Sequence, residues 1–156
     1  MKTPTKRITA DDLRKLPKAK VNELFAHLGP AKVDELQHDW KFWGRDAQFP
    51  PTDNDWNTWL INAGRGFGKT RCGAEWVRQQ VKLGHKRIAC VASTNSDIER
   101  VMVKGESGFL SVCWKHDKDN KGKHMGFPEW SPTKRSLTWA NGAKVEFYSA
   151  EEPERL

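Results

Sequence analysis

The chain has 156 residues, a length that suits one compact domain with a tail and is short for two domains. Lysine and arginine number 27 against 20 aspartates and glutamates, so the formal net charge is +7 at pH 7 and a polyanionic partner is favoured. Eight tryptophans argue against a disordered chain, and no apolar run reaches the roughly 18 residues of a membrane helix. We therefore expect a folded cytosolic protein without membrane association.

The three cysteines are Cys72, Cys90 and Cys113, and their wide spacing fits neither a disulfide framework nor a paired zinc motif. Reduced thiols are therefore expected. Cys113 with His116 and His124 offers three possible zinc ligands without a convincing fourth, whereas structural zinc usually takes four. Ordinary surface residues are the preferred interpretation of these side chains.

Residues 1–38 predict a helical lead-in. A basic, frayed start precedes a short helix capped by Thr9 or Asp11, and Pro17 interrupts that helix. Apolar residues then recur at helical spacing until a Gly-Pro pair provides a stop. We expect this apolar stripe to pack on the following domain, with docking of a partner protein as the alternative. The stripe consists of Val21, Leu24, Phe25 and Leu28, and the stop is Gly29 with Pro30.

From residue 39 onward the pattern is that of an α/β domain. Residues 39–59 are rich in aromatics and turn formers and predict an irregular, packed loop. Strand, loop, helix, strand and helix then follow in the order that indicates a parallel α/β sheet. These elements are a short apolar strand at 58–64, a helix from Lys69 to about Leu83 that Gly84 ends, a strand at 87–93 and a helix at 94–103.

The last third of the chain predicts a short helix and a hairpin. Residues 105–112 are a candidate helix. Asn141 and Gly142 separate two alternating runs, which is the strongest short-range sequence signal for a β-hairpin. Glu151 and Glu152 precede a proline in a turn-like run, so we expect both to be exposed carboxylates.

Residues 114–135, between the short helix and the hairpin, form a basic stretch. The stretch is polar and rich in turn formers, without apolar periodicity, and predicts an excursion over the surface. It is expected to be a solvated loop, with an alternative in which Trp114 and Trp130 stack on bases while its cations follow a phosphate backbone. Those cations are Lys115, Lys118, Lys121, Lys123, Lys134 and Arg135.

The stretch between the first predicted strand and its helix has the composition of a phosphate-binding loop. In the pattern GxxxxGK[ST], glycines let backbone N–H groups converge on a polyphosphate, the lysine balances its charge and the hydroxyl holds Mg²⁺. Here Ala63 replaces the first glycine, a mild departure if its dihedral angles are ordinary. The alternatives are a glycine-rich turn with an accidental lysine and a dinucleotide-binding loop. The predicted phosphate-binding residues are Ala63, Gly64, Arg65, Gly66, Phe67, Gly68, Lys69 and Thr70.

Two long blocks resemble the ATPase domain of the large terminase subunit of tailed bacteriophages. They are WKFWGRDAQFPPTDNDWNTWLINAGRGFGKTRCGAEWVR and SPTKRSLTWANGAKVEFYSAEEPERL. The resemblance implies an α/β, three-layer P-loop NTPase sheet, RecA-like with the additional strand, that is incomplete at its carboxyl-terminal side. It also implies a helical lead-in at 1–38, a partial P-loop ATPase domain at 39–156 and no nuclease domain.

The resemblance implies roles for individual residues. Lys69 and Arg65 are the candidate catalytic residues, which handle phosphate and sense or stabilise the γ-phosphate, and Thr70 handles Mg²⁺. A surface arginine or an ion pair is the alternative for Arg65. Gln48 occupies the place of an adenine-contacting glutamine, whose amide donates and accepts at the base edge, with a solvent-facing loop glutamine as the alternative. Nearby aromatics are expected in the core, or stacked on the base: Trp43, Phe49, Trp56 and Trp59.

By the same resemblance the protein is the ATP-binding part of a homo-oligomeric motor that packages double-stranded viral DNA into proheads in the host cytoplasm. Its partners would be the small terminase subunit and the portal. The Walker B strand, catalytic glutamate and nuclease residues of that family have no counterpart in residues 1–156. Slow ATP hydrolysis, no nuclease activity and an exposed sheet edge are therefore expected. The alternatives are a nucleotide- or DNA-binding module without turnover and another P-loop ATPase of the helicase type.

Overall fold

The computed structural model describes residues 8–52, 55–152 and 154, and every structural statement below concerns these residues. The frayed start predicted before Ile8 lies outside them. The chain divides into two compact units, Met1–Trp59 and Leu60–Leu156, and each is described by itself. None of the described helices is long and apolar enough to cross a membrane.

The first unit is helical. The predicted cap is confirmed, because the Thr9 hydroxyl accepts from the Asp12 backbone N–H at 3.4 Å while the Asp12 carboxylate accepts from the Thr9 N–H at 3.1 Å. The predicted break at Gly29 is confirmed, because Gly29 has non-helical backbone angles with φ +74° and divides α2 into two helical stretches that meet at a kink before Pro30. The elements are α1 (Ala10–Arg14), α2 (Lys18–Gln37), α3 (Trp40–Trp43) and a 3₁₀ turn at Asp46–Gln48.

The helices of the second unit follow the sequence pattern closely. The predicted helix after the glycine loop is confirmed as α4 (Lys69–Leu83), and it ends at Gly84 with φ +103°. The next predicted helix is also confirmed, with Thr94 as its cap, since its hydroxyl accepts from the Asp97 N–H at 3.1 Å. It consists of α5 (Asn95–Asp97) and a π-helical turn at Ile98–Val103, and α6 (Phe109–Val112) comes after it.

A mixed four-stranded sheet forms the other half of this unit. The strand order is β1-β4-β3-β2, with β1 parallel to β4 and the other neighbours antiparallel. The predicted hairpin is confirmed between β3 and β4, where Gly142 takes φ +84°. The strands are β1 (Arg87–Ala92), β2 (Glu129–Ser131), β3 (Ser136–Thr138) and β4 (Lys144–Ser149).

The prediction of a strand at 58–64 is wrong, because these residues form neither a strand nor a helix. Leu60 is 80% exposed, and in the described part of the chain β1 pairs on one side only, with β4. A short apolar run becomes a strand only where a neighbour pairs with it, and none does so here. The α/β class is confirmed, while the RecA-like three-layer order stays a prediction.

One apolar core holds the second unit together and draws on α4, the π-helical turn, α6 and the sheet. Its centre contains aromatic side chains in edge-on contact, with Phe147 5.5 Å from both Phe109 and Trp130 between ring centroids. Trp130 is partly buried and packs against this core, and stacking of a base on its remaining exposed surface stays a prediction. Residues with no exposed surface include Val81, Val103, Val112, Leu137 and Val145.

Candidate functional site

The glycine loop turns directly into the N-terminus of α4. Gly66 and Gly68 have φ of +80° and +92°, in the left-handed region, and Gly68 caps the helix. A Cβ on Gly66 would meet no atom within 4 Å, so glycine is favoured there for its backbone angles and not for space. Ala63 is not among the residues with positive φ, which agrees with the prediction that alanine fits its position.

Lys69 bends back over this loop. Its Nζ donates to the carbonyl oxygen of Ala63 at 2.8 Å and to that of Gly64 at 2.9 Å. The ammonium group is thereby held on the loop at the start of α4, where the helix dipole and the first unpaired N–H groups favour an anion. The arrangement can therefore bind a phosphate group.

Two further predicted residues flank the lysine. Arg65 is exposed and Thr70 lies exposed in the first turn of α4. Neither side chain forms an ion pair or hydrogen bond within the described residues, so the ion-pair alternative for Arg65 has no support there. Both groups are available to a ligand at this end of the helix.

Gln48 lies in the other unit and is buried, so the solvent-facing alternative does not hold. Its Oε1 accepts from the Arg45 backbone N–H at 2.9 Å and closes the 3₁₀ turn. Its adenine contact stays a prediction. Of the nearby aromatics expected in the core, Phe49 packs 5.8 Å from the Trp40 ring, whereas Trp43 is exposed and donates its indole N–H to the Leu36 carbonyl.

Behind the glycine loop, α4 carries a buried ion network that the sequence analysis did not identify. The Arg78 guanidinium donates to both oxygens of Asp117, from Nε at 2.6 Å and from an Nη at 2.7 Å. These two side chains are 6% and 3% exposed. Arg78 also donates to Glu75 at 3.1 Å, and Lys82 donates to Asp117 at 3.0 Å.

The electrostatics keep this network charged. Burial by itself raises the pKa of Asp117, but the hydrogen bonds and charges of Arg78 and Lys82 outweigh burial and hold that pKa below its ordinary value. Burial likewise lowers the pKa of Arg78, and Asp117 with Glu75 reverses this, so the pKa of Arg78 is raised. A fully charged, bidentate pair thus fastens the loop 114–126 to α4.

Burial determines the state of the three cysteine thiols. Cys72, Cys90 and Cys113 are buried and form no disulfide within the described residues, and burial raises the pKa of both Cys90 and Cys113 to about 12. Among the described residues, no group of three or more His, Cys, Asp or Glu side chains is placed to hold a metal. Cys113 instead lies beside the ion network, where Arg78 partly offsets the effect of its burial.

The prediction of two exposed carboxylates near the end of the chain is only half right. Glu151 is exposed, whereas Glu152 accepts from the Arg135 guanidinium at 3.1 Å and from the Asn95 amide at 2.9 Å. Arg135 itself has a positive φ of 46°. Glu152 therefore joins β4, the β2–β3 turn and α5, and is not a free base.

Comparison with known protein families shows which family the chain belongs to. Residues 60–155 match the family model described as terminase large subunit, T4likevirus-type, N-terminal. The match covers more than half of the chain, so the chain belongs to this family, and the resemblance noted from the sequence is confirmed. Membership supports a role in packaging phage DNA. No curated protein and no solved structure gives a significant match.

Proposed function

We propose that this member of the terminase large-subunit family binds ATP with Mg²⁺ at residues 63–70, as the nucleotide-binding part of a motor that packages double-stranded viral DNA into proheads. The observation that carries the proposal is the Lys69 ammonium group, held 2.8 and 2.9 Å from two loop carbonyls at the start of a 15-residue helix. A polyphosphate replaces those neutral acceptors with charged oxygens, which form stronger hydrogen bonds with the ammonium.

The residues around Lys69 supply the remaining contacts. Backbone N–H groups at the start of α4 would donate to the phosphates, and the exposed Arg65 side chain would contact the γ-phosphate. The exposed Thr70 hydroxyl is of the chemical type that holds Mg²⁺ in such loops. The metal, when bound, neutralises negative charge between the β- and γ-phosphates. These roles bind and orient the nucleotide.

Hydrolysis by the chain is proposed to be slow. Glu152 is the carboxylate at the end of β4, and Arg135 and Asn95 already occupy its oxygens. Asp117 and Glu75 are buried in the ion network on α4. None of these three carboxylates is therefore placed to act as a general base, and a positioned base contributes about 10²- to 10⁴-fold to the rate of hydrolysis. Nucleotide binding without appreciable turnover is the second candidate function. The proposed packaging partners are the small terminase subunit, the portal and further copies of the motor.

Calorimetry with ATP and Mg²⁺ tests the nucleotide site. We expect Lys69→Ala to weaken binding about 10- to 100-fold, because a charge-assisted hydrogen bond contributes about 1.5 to 3 kcal/mol. Lys20→Ala is the matched control, since it removes the same charge from an exposed position in the other unit. Equal affinities for Lys69→Ala and the control would exclude the loop as the phosphate site. Phosphate release from the same samples measures turnover.

A further inference from the structure

Seven cationic side chains gather at the end of the second unit where α4 ends and the parallel strands β1 and β4 begin. We call this set the basic end. Lys86 directly precedes β1, Arg87 opens it, and Lys144 opens β4 opposite Arg87 in the parallel register. The loop 114–126 brings the remaining lysines beside them. The set is Lys82, Lys86, Arg87, Lys118, Lys121, Lys123 and Lys144.

Hydrogen bonds show that these segments meet. The Asn120 backbone N–H donates to the Lys82 carbonyl, and its side-chain amide donates to the Leu83 carbonyl, each at 2.8 Å. The Lys144 N–H donates to the Lys86 carbonyl at 2.8 Å. The loop is thus bonded to the end of α4, and β4 begins beside the residue that precedes β1. Asp119 of the loop interacts electrostatically with both Lys86 and Lys121, which places lysines of the two segments near one carboxylate.

This surface keeps positive charge that other side chains do not neutralise. Glu146 is occupied by Lys144 at 2.6 Å and by Arg87 at 3.8 Å. Asp117 is buried with Arg78, and the Asp119 carboxylate accepts from the backbone N–H groups of Lys121 and Lys123 at 2.9 Å. Asp119 also interacts with the charges of Lys86 and Lys121 without forming an ion pair with either, so the cations of the set outnumber the carboxylates near them. Within the described residues no ion pair engages four exposed members of the set, namely Lys86, Lys118, Lys121 and Lys123.

The backbone of the loop 114–126, which carries three of the lysines, is also held in place before any ligand binds. Lys118 and His124 face each other across a narrow turn, and the Met125 N–H donates to the Asp117 carbonyl at 2.8 Å. Met125 is fully buried, as is nearly all of Asp117 in its pair with Arg78. Binding of a ligand to this loop therefore costs little conformational entropy for ordering the loop backbone.

Two tryptophans near the loop favour a double-stranded over a single-stranded polyanion. Single-stranded nucleic acid is usually bound by stacking its bases on aromatic faces. Trp130 instead packs partly buried against the core, and the half-buried Trp114 lies edge-on to His116 with ring centroids 5.0 Å apart. The members of the basic end are all cations, which match a duplex, whose phosphates are outermost and whose bases are paired.

We propose that the basic end binds the phosphate backbone of duplex DNA. The choice of DNA rests on the packaging role in the proposed function, and the surface itself does not depend on the nucleotide loop. Lys69 opens α4 and Lys82 lies near its other end, so the two sites lie about 20 Å apart along one helix at 1.5 Å per residue. The basic end holds the duplex while the loop at the opposite end of α4 holds ATP.

Fluorescence anisotropy with a short labelled duplex of mixed sequence, without nucleotide and over a series of salt concentrations, tests the proposal. The variant is Lys118→Gln/Lys121→Gln/Lys123→Gln in the full chain. The matched control, Lys18→Gln/Lys20→Gln/Lys41→Gln, removes the same charge from exposed positions in the first unit. Each lost phosphate contact lowers the slope of log affinity against log salt by about 0.9, so we expect a decrease of about 2 to 3 for the loop variant.

The outcomes separate the two proposals. An unchanged slope for the control together with the decrease for the loop variant supports the basic end. An equal change in both variants overturns it, because net charge and not this surface would then govern binding. No change in either variant also overturns it, because the loop lysines would then make no phosphate contact. ATP binding by the loop variant, measured by calorimetry, should match that of the unaltered chain. If ATP fails to bind while the DNA slopes differ as expected, only the nucleotide proposal fails.

Discussion

Residues 60–62, which lead into the glycine loop at 63–68, and the loop 114–126 are held in opposite ways. Residues 60–62 are irregular and form no hydrogen bond within the described residues, and Leu60 is 80% exposed. The loop 114–126, which has no apolar periodicity, is fastened by a buried ion pair and a fully buried methionine. An apolar run therefore does not imply a firmly held segment, because a segment is anchored by the contacts it makes with the core and not by its own composition.

The largest expected effect comes from breaking the buried pair. Asp117→Asn removes a carboxylate that is 3% exposed and leaves Arg78 buried with only Glu75 as a counter-charge. We expect the free energy of unfolding to fall by about 3 to 5 kcal/mol, measured by urea denaturation. The control is Glu99→Gln, which breaks an exposed ion pair with Lys104 and should leave the urea midpoint unchanged. Similar midpoints for both variants would mean that the loop is not anchored through Asp117.

A smaller effect is expected from pH, with a sign given by the lowered pKa of Asp117. A carboxylate whose pKa is lowered in the folded state stabilises it above the ordinary pKa of about 4, and this contribution is lost as the pH falls through the lowered value. The free energy of unfolding should therefore decline below about pH 4. Asp117→Asn should decline less steeply in urea titrations at several pH values. Parallel curves for the two proteins would contradict the assignment.

The smallest effect compares one glycine from each loop. Gly66 and Gly122 have φ of +80° and +77°, and a Cβ on either would meet no atom within 4 Å. Gly122→Ala should cost about 1 kcal/mol of unfolding free energy, because the anchored loop cannot relax its left-handed backbone. Gly66→Ala should cost less, since its irregular loop can adjust. The comparison is made by urea denaturation, and the opposite order would mean that the phosphate loop is the more tightly held of the two.

Features that depend on neighbouring residues were predicted correctly. The helix from Lys69 to Leu83 follows from its apolar stripe and Gly84, and the hairpin follows from Asn141 and Gly142. The cap at Thr9 has the same local origin. Each of these signals is complete within a few positions of the chain, so no distant contact was needed to predict it.

Features that depend on distant partners were missed or wrongly predicted. Arg78 and Asp117 are 39 residues apart, and nothing in the stretch around either one indicates the other. The run at 58–64 has the composition of a strand but no neighbour that pairs with it. The role expected for Glu152 changed for the same reason, since Arg135 and Asn95 reach it only after the sheet has formed.

By itself the sequence determined the family and most helix and hairpin positions, because these are properties of contiguous residues and their spacing. Only the tertiary structure decided that the basic loop is anchored, that its lysines join those at the start of β1 and β4, and that Lys69 rests on the carbonyls of its own loop. Buried ion pairs and strand neighbours are contacts across the fold. The core selects them through packing and desolvation, which no local pattern in the chain expresses.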